Sequence, residues 1–151
     1  MRISSRAIVV KDDTILVMQR NKMGREFYAL VGGGVDEGET PEEALHRELE
    51  EEASMAVANP RLVIIQEGGA KKFGKQYVYL CEYIGGEPKL SPDSEEALQH
   101  SEGQNLYNPM WLPIAELPAV EFLPPELQQA LITGLHDGFP EQPLELKISA
   151  E

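Results

Sequence analysis

The chain has 151 residues, 42% of them apolar and 26% charged, and a formal net charge of −13. That length suits one domain around one core, so residues 1–151 are read as a single domain, with 137–151 as a C-terminal tail or edge strand. The lack of any run of about 18 apolar residues argues against a membrane span, and the surplus of carboxylates disfavours binding to duplex nucleic acid, whose phosphates they repel. Hydrophobicity near the N-terminus alternates rather than running on, so no secretory signal is expected. Cys81 is the sole cysteine. It has no internal partner and reads as a buried thiol, in keeping with a reducing cytoplasm.

In chain order, residues 3–10 and 14–19 are apolar runs separated by the polar turn Lys11-Asp12-Asp13, which predicts a β-hairpin. Residues 20–26 read as a charged loop. A short strand over 27–31 follows, stopped by Gly32-Gly33-Gly34, three residues that permit positive φ and close approach of a ligand to the backbone. Thr40, Pro41 and Glu43 form the start signal of a helix: an N-cap, a proline at the first position and a capping-box glutamate. Leu45, Leu49 and Ala53 give that helix an apolar stripe and carry it over about 40–53. Two strands are expected over 60–68 and 75–84, joined through Gly68-Gly69 to Gly74. Residues 87–104 are polar and read as a loop. A strand over 107–113, a helical turn over 114–117 and a helix over about 125–135 come next, with Gly138 as its stop. Residues 143–148 alternate like a strand, at a sheet edge or a dimer contact. The resulting order, β-β-β-α-β-β-β-α, predicts an α+β fold in which a mixed sheet is sandwiched by helices.

The charge is concentrated. Residues 36–52 hold nine acids against one base, Arg47. At about 100° per residue, Glu48, Glu51 and Glu52 fall on one face of the 40–53 helix. Like charges at this spacing destabilise an isolated helix by a few tenths of a kcal/mol per pair. A solvated acidic face is the plain explanation. The sharper one is a divalent-cation site, because Mg²⁺, or Mn²⁺ with the same ligand preference, binds a few carboxylates together with waters and substrate phosphates. The glycines ahead of the helix and the helix N-terminus lie close enough in sequence to meet a phosphate. Together these features point toward metal-assisted phosphoryl chemistry.

The same segment resembles the Nudix box, G-x5-E-x7-R-E-U-x-E-E-x-G-U, where U is a bulky aliphatic residue. Gly33, Glu39, Arg47, Glu48, Leu49, Glu51 and Glu52 match, and Ser54 stands where the family has glycine; the box spans 23 residues and seven of the eight fixed positions before Met55 agree. Val31, where many relatives have proline, is a milder departure. The resemblance implies an α/β/α sandwich with a pyrophosphohydrolase activity. It makes Glu48 and Glu52 the main metal ligands, Glu51 a further ligand or a positioner of the attacking water, and the Gly33 carbonyl a backbone ligand. Arg47 would hold a glutamate of the cluster and Glu39 would support the loop. The general base stays open among Glu48, Glu51 and the downstream Glu95, Glu96 and Glu102. The family glycine serves a left-handed helix exit, so Ser54 is expected to cost on the order of 1 kcal/mol there, unless the exit takes another geometry.

Outside the box, Arg20, Arg25, Lys71 and Lys72 are either phosphate contacts or ordinary surface bases, and Phe27, Tyr28, Tyr107 and Trp111 either stack on a base or pack. Arg20, Tyr28 and Glu96 are carried as candidate substrate contacts. His46, His100 and His136 lack metal-ligand spacing, which disfavours zinc. The expected activity is metal-dependent hydrolysis of a phosphoanhydride in a nucleoside triphosphate or a nucleoside diphosphate linked to another moiety. The alternative is a Nudix-like domain that senses a nucleotide without cleaving it. A homodimer is common among domains of this kind.

Overall fold

The structure, a computed structural model, describes residues 2–68, 74–91 and 105–149. The first two apolar runs form β1 (Ile3–Lys11) and β2 (Thr14–Lys22), followed by β3 (Arg25–Ala29) and β4 (Val31–Gly34). Helix α1 (Pro41–Ala53) leads into β5 (Ala56–Gly68) and β6 (Lys75–Gly85). Then come β7 (Asn105–Pro113), a 3₁₀ helix over Ile114–Ala119, helix α2 (Pro125–Asp137) and β8 (Leu144–Ile148). The strands join in the order β3-β2-β1-β6-β5-β8, with β4 also pairing β1 and β7 also pairing β2. β1 runs parallel to β6 and antiparallel to β4, and β5 runs parallel to β8, so the sheet is mixed. β8 is its last strand.

Burial explains why β1 and β2 read as continuous apolar runs. Ala7, Val9, Leu16 and Met18 pack toward Leu45, Leu49 and Ala53 of α1. The alternating partners Ile8, Ile15 and Val17 pack toward Leu127 and Leu131 of α2. A strand covered on both faces needs apolar side chains at successive positions. The result is an α+β sandwich with one core on each side of the sheet. Cys81 lies in the α1-side core, where burial pushes its thiol up to about 12, the behaviour of a packing residue. Among the described residues no helix is long and apolar enough to cross a membrane.

Three expectations are corrected. Residues 20–26 are mostly strand: β2 and β3 pair down to Lys22 and Arg25, and the turn is confined to Met23 and Gly24, both at positive φ. Cross-strand bonding outweighed the local charge there. The strand over 27–31 is two strands broken at Leu30, where the chain leaves β2 and joins β1. The triple glycine does not stop a strand but forms one. Gly32 pairs with Arg6, and a Cβ on it would lie 2.0 Å from the Ser5 carbonyl oxygen. Only glycine permits that approach. The connection 69–73 and most of the polar 87–104 segment lie outside the described residues.

Helix α1 begins as its sequence dictates. The Thr40 hydroxyl accepts from the Glu43 N–H, and the Glu43 carboxylate accepts from the Thr40 N–H. Its end is left-handed, with Ser54 at φ 52° and ψ 42°. The serine hydroxyl donates to the Lys89 carbonyl at 2.7 Å, and the Lys89 and Ser91 N–H groups donate to the carbonyls of Ala53 and Glu51. The strand-following segment 89–91 thus satisfies carbonyls that a helix end leaves open. The side-chain bond offsets the left-handed strain, since each is worth about 1 kcal/mol. Ser54→Ala, which keeps the strain and loses the bond, is expected to lower unfolding stability by about 1 kcal/mol, whereas Ser54→Gly should stay within about 0.5 kcal/mol of the wild type in urea melts.

Candidate active site

The C-terminal half of α1 faces β4 across a cleft of about 440 Å³. Glu48 and Glu52, one helical turn apart, are buried at 9% and 6% exposure beside Leu45, Leu49 and Ala53. The Glu51 side chain is nearly half exposed. All three line the cleft with Gly32, Gly33 and Gly34, while Arg2, Arg6 and Arg20 supply positive charge to the same space. A Cβ on Gly33 would lie 2.5–2.6 Å from the carboxylate atoms of Glu48. Glycine there is what lets that carboxylate rest on the β4 backbone.

Arg47 ties the loop before the helix to the carboxylates. Its Nε and Nη2 donate to the two Glu39 oxygens at 2.7 and 3.0 Å, and Nη2 also donates to the Gly34 carbonyl at 3.0 Å. Nη1 donates to Glu48 at 2.9 Å and to Glu51 at 3.4 Å, and Asp36 lies 3.4 Å away. The Arg47 hydrogen bonds and the Asp36 N–H hold the Glu39 carboxyl down to about 2. The same carboxylates, Glu39 first, push the Arg47 guanidinium further above its ordinary value. The last turn of α1 holds no base. Its acids therefore sit against the negative end of the helix dipole as well as against one another.

Arg20, which also lines the cleft, is held by two aromatic rings. Its guanidinium carbon lies 3.8 Å from the Tyr107 ring centroid and 5.5 Å from that of Phe27, and Nε donates to the Leu106 carbonyl at 3.1 Å. Arg20, Phe27 and Tyr107 are register partners on three adjacent strands, which is why they stack. Tyr28 and Trp111 do not line the cleft. Tyr28 packs against the α2-side core and Trp111 against the α1-side core, edge-on to Tyr83 at 5.6 Å. Arg25 pairs with Glu121 at the surface. Lys71, Lys72, Glu95, Glu96, His100 and Glu102 lie outside the described residues. Arg2 and Arg6 were missed by sequence reading, since nothing local distinguishes them; β1's pairing with β4 brings them to the cleft.

Among the described residues no three acids already converge as a ready-made metal cage. The donor set is nonetheless all oxygen, two of its carboxylates are buried, and the missing side chain at Gly33 lets the Glu48 carboxylate lie against the strand backbone. That combination fits a hard divalent ion completed by water and substrate phosphate.

An α+β sandwich with an acidic helix laid over a glycine strand defines the structural class. The NUDIX domain profile matches residues 1–131, and the chain belongs to the NUDIX domain family. It is 34% identical over 112 residues to the NAD-capped RNA hydrolase NudC of Photobacterium profundum, covering 74% of this chain and 38% of that protein. It is also 34% identical over 94 residues to the ADP-ribose pyrophosphatase of Methanocaldococcus jannaschii, covering 60% of this chain and 56% of that protein. The chain thus spans less than two thirds of the length of either. A NUDIX hydrolase structure from Nitrosomonas europaea superposes with a TM-score of 0.72 at 16% identity, over 99% of this chain and 79% of the other, and shares the fold.

Because Glu39 is held below its ordinary 4.5, at about 2, the stability it contributes is complete above pH 4.5 and fades as pH falls toward 2. In denaturant titrations the stability difference between wild type and Glu39→Gln is expected to be largest at neutral pH and to shrink across that acidic window.

Proposed function

We propose that this chain is a metal-dependent hydrolase that cleaves a phosphoanhydride in a nucleoside triphosphate or a nucleoside diphosphate linked to another moiety. The observation that carries the reading is the cleft itself, lined by buried Glu48 and Glu52, by Glu51, and by Arg2, Arg6 and Arg20. A divalent cation would let a polyanion held by the arginines approach the clustered carboxylates. The activities for which the two relatives are named support the substrate class, since NAD-capped RNA and ADP-ribose each contain a diphosphate joining a nucleoside to another group.

Glu48, Glu51 and Glu52, with the Gly33 carbonyl, would hold Mg²⁺ or Mn²⁺, which when bound polarises a phosphoryl oxygen and acidifies water. Arg47 keeps Glu48 and Glu51 turned toward the cleft through its two Nη1 bonds. Arg20, flattened between aromatic rings, presents its remaining donors to phosphate oxygens, and the planar fork suits them. Water oxygen forms the new bond to phosphorus, the bridging oxygen leaves with the electron pair, and a carboxylate takes the water proton. Glu48 and Glu51 are the described candidates for that base.

A screen of ADP-ribose, NAD⁺ and nucleoside triphosphates with Mg²⁺ and Mn²⁺ is expected to give metal-dependent phosphate-ester products. Glu51→Gln and Glu52→Gln should each reduce turnover on the order of 100-fold while the circular dichroism spectrum stays native. Unchanged turnover in both variants would overturn the mechanism, and tight nucleotide binding with no product in either metal would make the domain a sensor instead. Gly33→Ala places a methyl where the Glu48 carboxylate stands. It should cut turnover by at least 10-fold, because a misplaced catalytic group of about 1 Å carries a penalty of that order or more.

A further inference from the structure

Arg6 lies in the middle of β1, and its side chain crosses the space left by Gly32, where a Cβ would lie 2.9 Å from the Arg6 Cδ. Its Nη1 donates to two carbonyls, Leu30 at 3.1 Å and Gly32 at 3.2 Å, and its Nε donates to Gln76 Oε1 at 3.2 Å. Leu30 is the single residue between β3 and β4, where the chain passes from one part of the sheet to the other. A backbone crossing of this kind has carbonyls that no strand ladder satisfies. One residue past the clamp, Gly33 carries the Glu48 carboxylate. The bottom of the cleft is therefore held by one guanidinium: two carbonyls bracketing Val31 on one side, a glutamine of β6 on the other, and the carboxylate cluster beyond.

A purely structural bond to two carbonyls would be made more cheaply by a neutral amide. Burial works against the Arg6 charge, and Glu52 and Glu48 are the groups that favour it. The residue thus combines a rigid fork, which lysine lacks, with a charge placed in the field of the cluster.

Resting on the reading of a divalent cation at Glu48, Glu51 and Glu52, we propose that Arg6 is a positioning residue of that centre: its clamp on Leu30 and Gly32 fixes the Gly33 backbone beneath Glu48 and so sets the geometry in which the cation is held. Arg6→Lys isolates this role, because it keeps the positive charge and loses the fork. Outer partners that orient metal ligands are typically worth 10- to 100-fold in affinity, so Arg6→Lys is expected to weaken Mn²⁺ binding by about 10-fold. Gln76→Leu, which removes the Nε partner that orients the guanidinium for the carbonyl clamp, is expected to weaken it by about 3-fold and carries the test if Arg6→Lys does not fold.

The experiment titrates Mn²⁺ alone into the wild type, Arg6→Lys, Gln76→Leu and Glu52→Gln, reading free Mn²⁺ by electron paramagnetic resonance at a temperature where each protein is folded. Thermal midpoints without metal are recorded alongside. Weakened binding in the folded Arg6→Lys and Gln76→Leu proteins supports the proposal. Lower midpoints with Mn²⁺ bound as tightly as in the wild type, or more tightly, overturn it and leave Arg6 a stabilising residue only. Glu52→Gln separates the two readings: if it binds Mn²⁺ like the wild type, the metal centre itself is refuted and the Arg6 role with it.

Discussion

Two carboxylates buried one turn apart, Glu48 and Glu52, are the constraint around which this molecule is arranged. Removing a charge from water costs several kcal/mol after relaxation, and a neighbouring like charge adds to it. The helix dipole makes matters worse, since both acids lie in the half of α1 that ends in partial negative charge. The surroundings answer with guanidinium groups rather than with ammonium groups. Arg47 reaches Glu48 from the helix itself, and Arg6 lies at the bottom of the cleft against Gly32. A guanidinium keeps its charge at any accessible pH and divides its donors among several acceptors. Arg47 uses that capacity fully, serving Glu39, Gly34, Glu48 and Glu51 at once.

The same constraint explains the glycine strand. A carboxylate lying against β4 leaves no room for a side chain at Gly33, and an arginine crossing from β1 leaves none at Gly32. β4 is short and pairs only with β1 among the described strands. Guanidinium groups serve its carbonyls instead: Gly32 accepts from Arg6 and Gly34 from Arg47. The glycines that weaken the strand as a strand make it useful as a floor. Stability for this region comes instead from neighbours, namely the apolar stripe of α1 against β1 and the capping box that fixes where the helix begins.

What could be read in advance divides along the range of the forces involved. The start of α1 was legible because Thr40, Pro41 and Glu43 act within one turn. The co-facial placement of Glu48, Glu51 and Glu52 was legible because helical periodicity alone decides it. The motif left the exit at Ser54 open between a left-handed turn and another geometry, and the Lys89 carbonyl that receives its hydroxyl is 35 positions away and left no local trace. The strand character of residues 20–22 was hidden for the same reason: their polar side chains argue for a loop, and only pairing with β3 and β7 overrides that. Arg6 was illegible altogether. Its meaning depends on β1 having β4 on one side and β6 on the other, a result of topology rather than of neighbours in the chain.

Arg20 shows how the cleft acquires a direction. In sequence it is one basic residue in a charged stretch. Register places it between Phe27 and Tyr107, and the two rings hold its plane while Leu106 fixes its Nε. A flexible surface arginine would lose about 2 kcal/mol of rotamer freedom on gripping an anion. One already stacked has lost much of that freedom on folding. The opposite wall is preorganised as well, with Glu48 and Glu51 pinned by Arg47. The cleft between them is lined by glutamates of α1 and by arginines of β1 and β2. A bare phosphate would be drawn to the arginines and repelled by the glutamates. A bare cation would experience the reverse. In the proposed function the two act together: a phosphate bridged to the carboxylates through a divalent ion would neutralise both sets of charges, which favours a metal-bound polyphosphate over either component alone.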